Sequence, residues 1–127
     1  MGRLLSVAVM LTAILFTGES ALSQGFPSRP VTIIVPFPAG GPVDTIGRII
    51  AERMRTFLGQ PVLIENVGGA AGSIGVGRAA RAAPDGYTLS LGNWATHVLN
   101  GPMFALQYDL EKDFEQVSLV SSDPLSS

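Results

Sequence analysis

A loop rich in glycine and proline contains the first residues of the sequence that could bind a ligand. It runs from Pro36 to Pro42, and its Gly40 and Gly41 would let a ligand approach the backbone closely. A predicted helix follows, and the free N–H groups of its first turn, together with the helix dipole, favour an anion. The same glycines could instead serve only a tight strand-to-helix turn, with Asp44 acting as a plain N-cap.

Motifs for catalysis or nucleotide binding are weak or absent in the sequence. Gly75 to Ala80 fits the spacing of a dinucleotide fingerprint, but it lies well past the end of its predicted strand instead of forming the turn. No phosphate-binding Gly-Lys-Ser/Thr sequence and no Gly-x-Ser-x-Gly elbow occurs, and His97 is the only histidine. A lone histidine in a loop is more often a structural hydrogen-bonding residue than a catalyst. We therefore predict binding chemistry, with no enzyme activity, no cofactor and no metal site.

The elements that would position these loops alternate between strand and helix. Short β-branched runs suit strands buried in a parallel sheet, whereas apolar residues at spacings of three and four predict an amphipathic helix. Gly59 and Pro61 end the longest helix, for which Asp44 is the predicted N-cap. In chain order we predict a strand at Val31–Val35, a helix at Ile46–Leu58, a strand at Val62–Ile64, a short helix ending near Ala83, a strand at Tyr87–Leu91, one or two helical turns at Asp109–Phe114 and a strand at Val117–Val120.

This alternation predicts right-handed crossovers and a doubly wound, mostly parallel α/β sheet. Ligands of such sheets bind beyond the carboxyl ends of the strands. The loops that leave those ends are Pro36–Pro42, Val67–Ser73 and Gly92–His97, and they are rich in glycine, small or polar residues. In the third loop, Trp94 could stack on a ligand, or it could line the wall of the cleft or an edge of the core. The convergence of the loops is the main indication of a binding site that the residues give on their own.

The amino-terminal segment has the composition of a secretion signal. Arg3 precedes an apolar run, Leu4–Phe16, that is too short to span a bilayer, and Ala21 and Ser23 match a signal-peptide cleavage site. We therefore expect residues 1–23 to be a signal peptide and the product to be periplasmic; a membrane anchor or a buried helix is the alternative. The chain has no cysteine and a formal net charge of −2. It also lacks a basic patch, which argues against a nucleic-acid partner.

A series of motifs runs through nearly all of the chain that follows the signal segment. They are Pro27–Thr32, Val35–Gly41 with Asp44, Leu58–Val62, Glu65–Asn66, Gly72–Gly75, Ala82–Leu89, Thr96–His97 with Asn100, Tyr108–Asp109, Asp113–Phe114 and Val117–Val120. In order and spacing they resemble the tripartite tricarboxylate transporter solute receptors, also called the Bug family of extracytoplasmic receptors. The resemblance implies a two-lobed, type II periplasmic-binding-protein fold, of which this chain would be one incomplete lobe. It also implies a small carboxylate ligand that is delivered to the integral membrane subunits of a permease.

Carried over residue by residue, the resemblance implies a carboxylate held largely by backbone groups and bound water of the three loops. It nominates Phe37, Ala39, Gly40 and Asp44 in the first loop, Ala70 and Ser73 in the second, and Asn93 and Thr96 in the third. The sequence departs from the family pattern at Pro42–Val43, at Val67–Gly72 and at Trp94.

The resemblance also implies a much longer receptor than these 127 residues. We expect a signal peptide at 1–23, an incomplete first lobe at 24–120 and a truncated crossover towards a missing second lobe at 121–127. On this interpretation the chain is a truncated carboxylate receptor, and its permease partner is expected for the full-length protein. Two alternatives stay open: an α/β enzyme domain that binds phosphate or a nucleotide through a glycine-rich loop, and a product with no function.

Overall fold

Strands and helices alternate along the described part of the chain, as the sequence predicts. The computed structural model describes residues 25–122. The elements are, in chain order, β1 (Val31–Val35), α1 (Pro42–Leu58), β2 (Val62–Asn66), a 3-10 turn (Ala70–Gly72), α2 (Ser73–Ala80), β3 (Thr88–Ser90), a π-helical turn (Ala95–Leu99) and α3 (Asn100–Met103). The predicted signal peptide, at 1–23, and the final residues, 123–127, lie outside the described residues.

The described strands form one parallel sheet in the order β2–β1–β3. The central strand β1 pairs along its whole length with β2 and along Thr32 to Ile34 with β3. All residues of β1 except Thr32 are buried, which explains its β-branched and nearly apolar sequence. The parallel α/β class predicted from the sequence is therefore confirmed.

Helix α1 covers one face of the sheet. The buried centre of the core is a cluster, Ile33, Val35 and Ala51, and further side chains pack against it: Phe37, Val43, Met54, Val62, Ile64, Leu89 and Leu91. At Gly47 the helix backbone approaches the sheet closely, because a Cβ there would lie 3.0 Å from Leu91 Cδ2 and 3.4 Å from Val35 Cγ2. The missing side chain at Gly47 thus lets α1 lie against the strands.

Helix α2 packs on the opposite face of the sheet. Thr32 and Ile34 alternate along β1 with the residues that face α1, so they point to the other side. They line a cavity together with Arg78 and Arg81 of the α2 region. The sheet therefore carries a helix on each face, which is the doubly wound arrangement. None of the helices within residues 25–122 is both long enough and apolar enough to span a bilayer.

The two ends of α1 show where the sequence prediction is right and where it is wrong. At the carboxyl end, Gly59 adopts a left-handed φ of 66° and donates its N–H to the Arg55 carbonyl, as predicted for a C-cap. At the amino end, the prediction that Asp44 is the N-cap is wrong: Gly41 is the N-cap and the helix begins at Pro42. Proline suits the first helical position because that position needs no N–H donor. Asp44 therefore lies inside the first turn.

The predicted fourth strand at Val117–Val120 is wrong. This segment has no regular secondary structure, and Val117 and Leu119 are 79% and 80% exposed. A strand needs a neighbouring edge with which to exchange backbone hydrogen bonds, and in residues 25–122 the segment pairs with none of the three strands. The segment Asp109–Phe114 forms turns instead of a helix, and α2 ends at Ala80, about one turn earlier than predicted.

The close approach at Gly47 leads to a stability prediction. Gly47→Val should lower the free energy of unfolding by about 1–3 kcal/mol, because the added atoms must displace Leu91 or lift α1 from the sheet. Arg53→Val, on the exposed side of the same helix, controls for the helix propensity of valine. Urea unfolding followed by circular dichroism measures both variants. Equal losses in the two variants would contradict the packing argument.

Candidate functional site

The loops that follow β1, β2 and β3 meet at the carboxyl edge of the sheet. Gly72 of the second loop lies where they touch. A Cβ on it would be 2.6 Å from Thr96 Cγ2 of the third loop and 3.2 Å from the Pro36 carbonyl oxygen of the first. A Cβ on Gly68 would likewise lie 3.8 Å from the nitrogen of Pro38. The structure therefore brings together the three loops that contain the candidate site residues, except Asp44, which lies in the first turn of α1 directly after the first loop.

The first loop turns at Gly40, whose φ of 86° lies in the region that favours glycine. The Gly40 N–H donates a hydrogen bond of 2.8 Å to Asp44 Oδ2. Ala39 and Gly40 are exposed, whereas Phe37 is partly buried against the core. The Phe37 carbonyl oxygen accepts a hydrogen bond of 3.2 Å from Asn66 Nδ2. Phe37 thus anchors the loop, and Ala39 and Gly40 present its backbone to the outside.

Asp44 is a buried carboxylate, 2% exposed, and both of its oxygens accept hydrogen bonds from the protein. Besides the Gly40 amide, Oδ2 accepts from Arg48 Nε at 2.9 Å, while Oδ1 accepts from Asn66 Nδ2 at 2.9 Å. The Arg48 guanidinium foremost, and then these other donors, hold the pKa of Asp44 at about 2, below its ordinary 3.8. The carboxylate therefore ties the first loop to α1 and to the end of β2.

Asn66 and Arg48 complete this network, and sequence reasoning misses their part in it. The Asn66 carboxamide donates to Phe37 and Asp44, and its oxygen accepts from Arg48 Nη2 at 3.3 Å. Arg48 is not among the residues that the sequence nominates for the site. The available signal was the spacing of Asp44 and Arg48, one helical turn apart, which lets an acid and a base meet on one face.

The second loop contains two consecutive alanines with positive φ, 47° at Ala70 and 55° at Ala71. Ser73 Oγ donates to the Ala70 carbonyl at 2.8 Å, and Asn100 Nδ2 donates to the Ala71 carbonyl at 2.8 Å. The hydroxyl hydrogen of Ser73 is thus engaged in the loop, which leaves its oxygen as an acceptor. No sequence signal marks this backbone, because residues with a Cβ seldom adopt it.

The third loop is closed by a reciprocal pair of hydrogen bonds between two candidate residues. The Asn93 N–H donates to Thr96 Oγ1 at 3.2 Å, and the Thr96 N–H donates to Asn93 Oδ1 at 3.2 Å. This is the logic of a capping box, in which side chains satisfy free amides at a helix start. Asn93 is exposed, while Thr96 is buried and packs against the second loop. Trp94 is 64% exposed beside them, so it does not line the core.

His97 is the last residue of the third loop and has the role of a structural hydrogen-bonding residue. Its Nδ1 is 2.8 Å from Thr96 Oγ1, and its Nε2 is 3.0 Å from Ser90 Oγ. Burial lowers the pKa of His97 below its ordinary 6.5, because desolvation disfavours the charged imidazolium. The neutral ring therefore links β3 to the π-helical turn.

The dinucleotide-like motif is placed where it cannot bind a pyrophosphate. Gly75 and Gly77 lie inside α2 and are buried. A Cβ on Gly75 would collide with the Val67 carbonyl, and one on Gly77 would be 3.0 Å from Tyr108 Cε1. These glycines therefore serve helix packing. Within the part of the chain that the structure describes, no group of three or more acidic or histidine side chains could hold a metal ion.

A parallel α/β sheet with three loops gathered at its carboxyl edge is the architecture of one lobe of a periplasmic solute-binding protein. Residues 46–126 match the family described as "Tripartite tricarboxylate transporter family receptor". The chain belongs to this family. The resemblance found in the sequence motifs is therefore confirmed, and the family comprises periplasmic solute-binding receptors.

Similar proteins support the same assignment. A protein from the ttuE–ttuC′ intergenic region of Agrobacterium vitis is 42% identical, over 94% of this chain and 35% of its own length. A MatC protein from Rhodopseudomonas palustris, with bound malate, is 49% identical with a TM-score of 0.67, over 70% of this chain and 31% of that chain. An R. palustris protein with adipate is 39% identical with a TM-score of 0.55, over 57% and 24%. The chain spans about a third of the length of the curated relatives it matches.

The buried Asp44 network predicts a specific dependence of stability on pH. Because the pKa of Asp44 is lower in the folded chain than in the unfolded chain, the unfolded chain binds more protons between pH 3.8 and about 2. The stabilisation is therefore present above pH 3.8 and is lost as the pH falls towards 2. Asp44→Asn should destabilise the chain at neutral pH, since its new NH₂ group must face another donor.

Urea unfolding at a series of pH values tests this expectation. The difference in unfolding free energy between wild type and Asp44→Asn should be constant near neutral pH and shrink as the pH falls below 3.8. Glu111→Gln removes an exposed carboxylate outside the network and controls for net charge. A difference that stays constant down to pH 2 would show that the network does not hold Asp44 charged.

A second pH prediction concerns His97, whose signals are unambiguous because it is the only histidine. Its imidazole resonances should titrate with a midpoint below 6.5 in the folded chain and near 6.5 in urea. Since the unfolded chain takes up the proton first, stability should decline as the pH falls below 6.5. Nuclear magnetic resonance titration measures the midpoint. A folded-state midpoint at or above 6.5 would contradict the buried, neutral ring.

Proposed function

We propose that this chain captures a small carboxylate for a tripartite tricarboxylate-type transporter. The observation that carries the proposal is the meeting of three loops at the carboxyl edge of the sheet, in a chain that belongs to this receptor family. The similar structures with malate and with adipate support a dicarboxylate as the ligand class.

The electrostatics of the edge favour an anion. Helix α1 has 17 residues and begins beside the first loop, so its positive dipole end and the first-turn amides of Val43 and Asp44 lie at the site. The negative charge of Asp44 would oppose an anion, but Arg48 lies 2.9 Å from it and offsets that charge. The first turn of α1 can therefore offer amide donors to a carboxylate.

We assign the candidate residues two kinds of role in this site. The exposed backbone of Ala39 and Gly40, and the side chain of Asn93, would contact the ligand. Ala70, Ser73 and Thr96 would form the other sides of the site. Phe37 and Asp44 would act mainly by holding the first loop, since Phe37 packs on the core and Asp44 is saturated with protein donors.

The proposed activity is binding without catalysis, because the relatives form a family of receptors. The proposed place of action is the periplasm, where the ligand would be handed to integral membrane permease subunits. A nucleotide-binding enzyme domain, the alternative that the glycine-rich sequence leaves open, is disfavoured by the burial of Gly75 and Gly77 inside α2.

Calorimetric titration of the chain with malate and with adipate tests the proposal, and titration with ATP tests the alternative. Trp94 is the only tryptophan and lies exposed in the third loop, so its fluorescence should change on binding. Saturable heat with a dicarboxylate and none with ATP is the expected result. Binding of ATP alone, or of no carboxylate, would overturn the proposed function.

A pair of glycine variants separates the site from general stability. Gly40 and Gly59 both have positive φ, 86° and 66°, and a Cβ on either would meet no atom within 4 Å. Alanine at either position carries a similar backbone strain of about 1–2 kcal/mol. Gly40→Ala should in addition weaken dicarboxylate binding about tenfold, ~1.4 kcal/mol, because it shifts the loop amides. Equal affinities in Gly40→Ala and Gly59→Ala would place the ligand away from this loop.

A further inference from the structure

The backbone of the second loop needs support from outside the loop. Ala70 and Ala71 both have positive φ, a conformation that residues with a Cβ seldom adopt and that persists only when the surroundings fix it. Ser73 supplies one tie to the Ala70 carbonyl, but it belongs to the same short segment. The tie from another element is Asn100, whose Nδ2 donates to the Ala71 carbonyl at 2.8 Å.

Asn100 is built into the fold at a fixed place. It is 4% exposed, its N–H donates to the Ala95 carbonyl across the π-helical turn, and its own carbonyl accepts from the Phe104 N–H at 3.0 Å. A π turn contains one residue more than an α turn, so it rotates the following residues by ~100° relative to a regular helix. The π-helical turn therefore sets the direction in which the Asn100 side chain leaves α3.

We propose that Asn100 is a positioning residue for ligand binding, which holds the Ala70–Ala71 backbone in its binding-competent conformation. The inference rests on the proposed function of the loops. Each peptide unit is planar and trans, so fixing the Ala71 carbonyl also fixes the Gly72 N–H on the other side of the unit, which donates to the Gly69 carbonyl at 2.9 Å. Asn100 thereby holds the turn of the second loop in one shape without contacting the ligand. Thr96 of the π-helical turn, which directly precedes α3, packs on Gly72 and supports the same loop.

The test uses Asn100→Asp, which keeps the size of the side chain and removes its donor. Gln107→Glu, an amide-to-acid change at an exposed position, is the matched control. In the ligand-free chain, Asn100→Asp should shift the backbone resonances of residues 69–73 far more than the control does. If the competent conformation falls to about one tenth of the population, the Kd for malate rises about tenfold. Slower association should account for this rise, with the dissociation rate unchanged.

A second substitution distinguishes positioning from a general loss of folding. Glycine adopts positive φ without a Cβ penalty, so Ala71→Gly in the Asn100→Asp chain should restore most of the malate affinity. Faster dissociation instead of slower association, or no rescue by Ala71→Gly, would overturn the proposal, because either would show that Asn100 acts by contact or by overall stability.

Measurements on the ligand-free chain test the role of Asn100 even if wild type binds no ligand or the Asn100→Asp variant does not fold. If wild type binds neither malate nor adipate, the proposed function fails, while the resonance shifts of residues 69–73 still decide whether Asn100 positions the loop. If Asn100→Asp does not fold, hydrogen exchange in wild type decides. The side-chain amide protons of Asn100 should then exchange at least tenfold more slowly than those of Asn93, and equal rates would overturn the proposal.

Discussion

The central strand β1 is hydrogen-bonded to a parallel strand on each side, and this double pairing determines where the loops of the site lie. Parallel strands end at the same edge of a sheet, so the segments that leave β1, β2 and β3 must emerge as neighbours. Val35, the last residue of β1, is fully buried, and Pro36 directly after it is buried as well. The first loop thus starts from a fixed point, against which Gly72 of the second loop is packed.

Within the sheet, backbone hydrogen bonds hold the strands together. In the loops beyond its edge, hydrogen bonds from polar side chains hold the backbone in place. Asn66 holds the first loop, Asn100 holds the second, and Asn93 closes the third together with Thr96. Where such a group is buried, as Asn100 and Asp44 are, it is stabilising only when its hydrogen-bonding groups have partners. Asp44 meets that condition with donors from three residues, which explains how a charged group is tolerated at the base of the proposed anion site.

The sequence predicts the sheet well and the details of the loops less well, for physical reasons. β1 is a short, nearly apolar run between two prolines, and β2 begins with an apolar run directly after Pro61. Gly59 is a clear signal for the end of α1, so these local patterns agree with the final fold. Val117–Val120 has a similar apolar pattern, but among residues 25–122 it has no partner strand. Without a neighbouring strand to share backbone hydrogen bonds, an apolar pattern is not enough to form a strand.

For the site, topology predicts which loops meet, and the loops do meet. Topology does not predict at which residue the helix begins. Both Asp44 as N-cap and Pro42 as first helical residue are favourable starts, and the structure has the second, so Asp44 lies inside the helix. Topology also gives no sign of the positive φ at Ala70 and Ala71, which depends on a side chain about a quarter of the chain away. Such contacts are tertiary, and they override the local preference of alanine.

The order of the strands in the sheet also bears on how the chain reaches this structure. β1 pairs with β2 across a single helix, whereas its pairing with β3 spans nearly twice that length of chain. Closing the longer segment costs more chain entropy, so the unit of β1, α1 and β2 is favoured to assemble before β3 joins it. The third loop depends on β3 for its place, and it is therefore the last side of the edge to be built during folding.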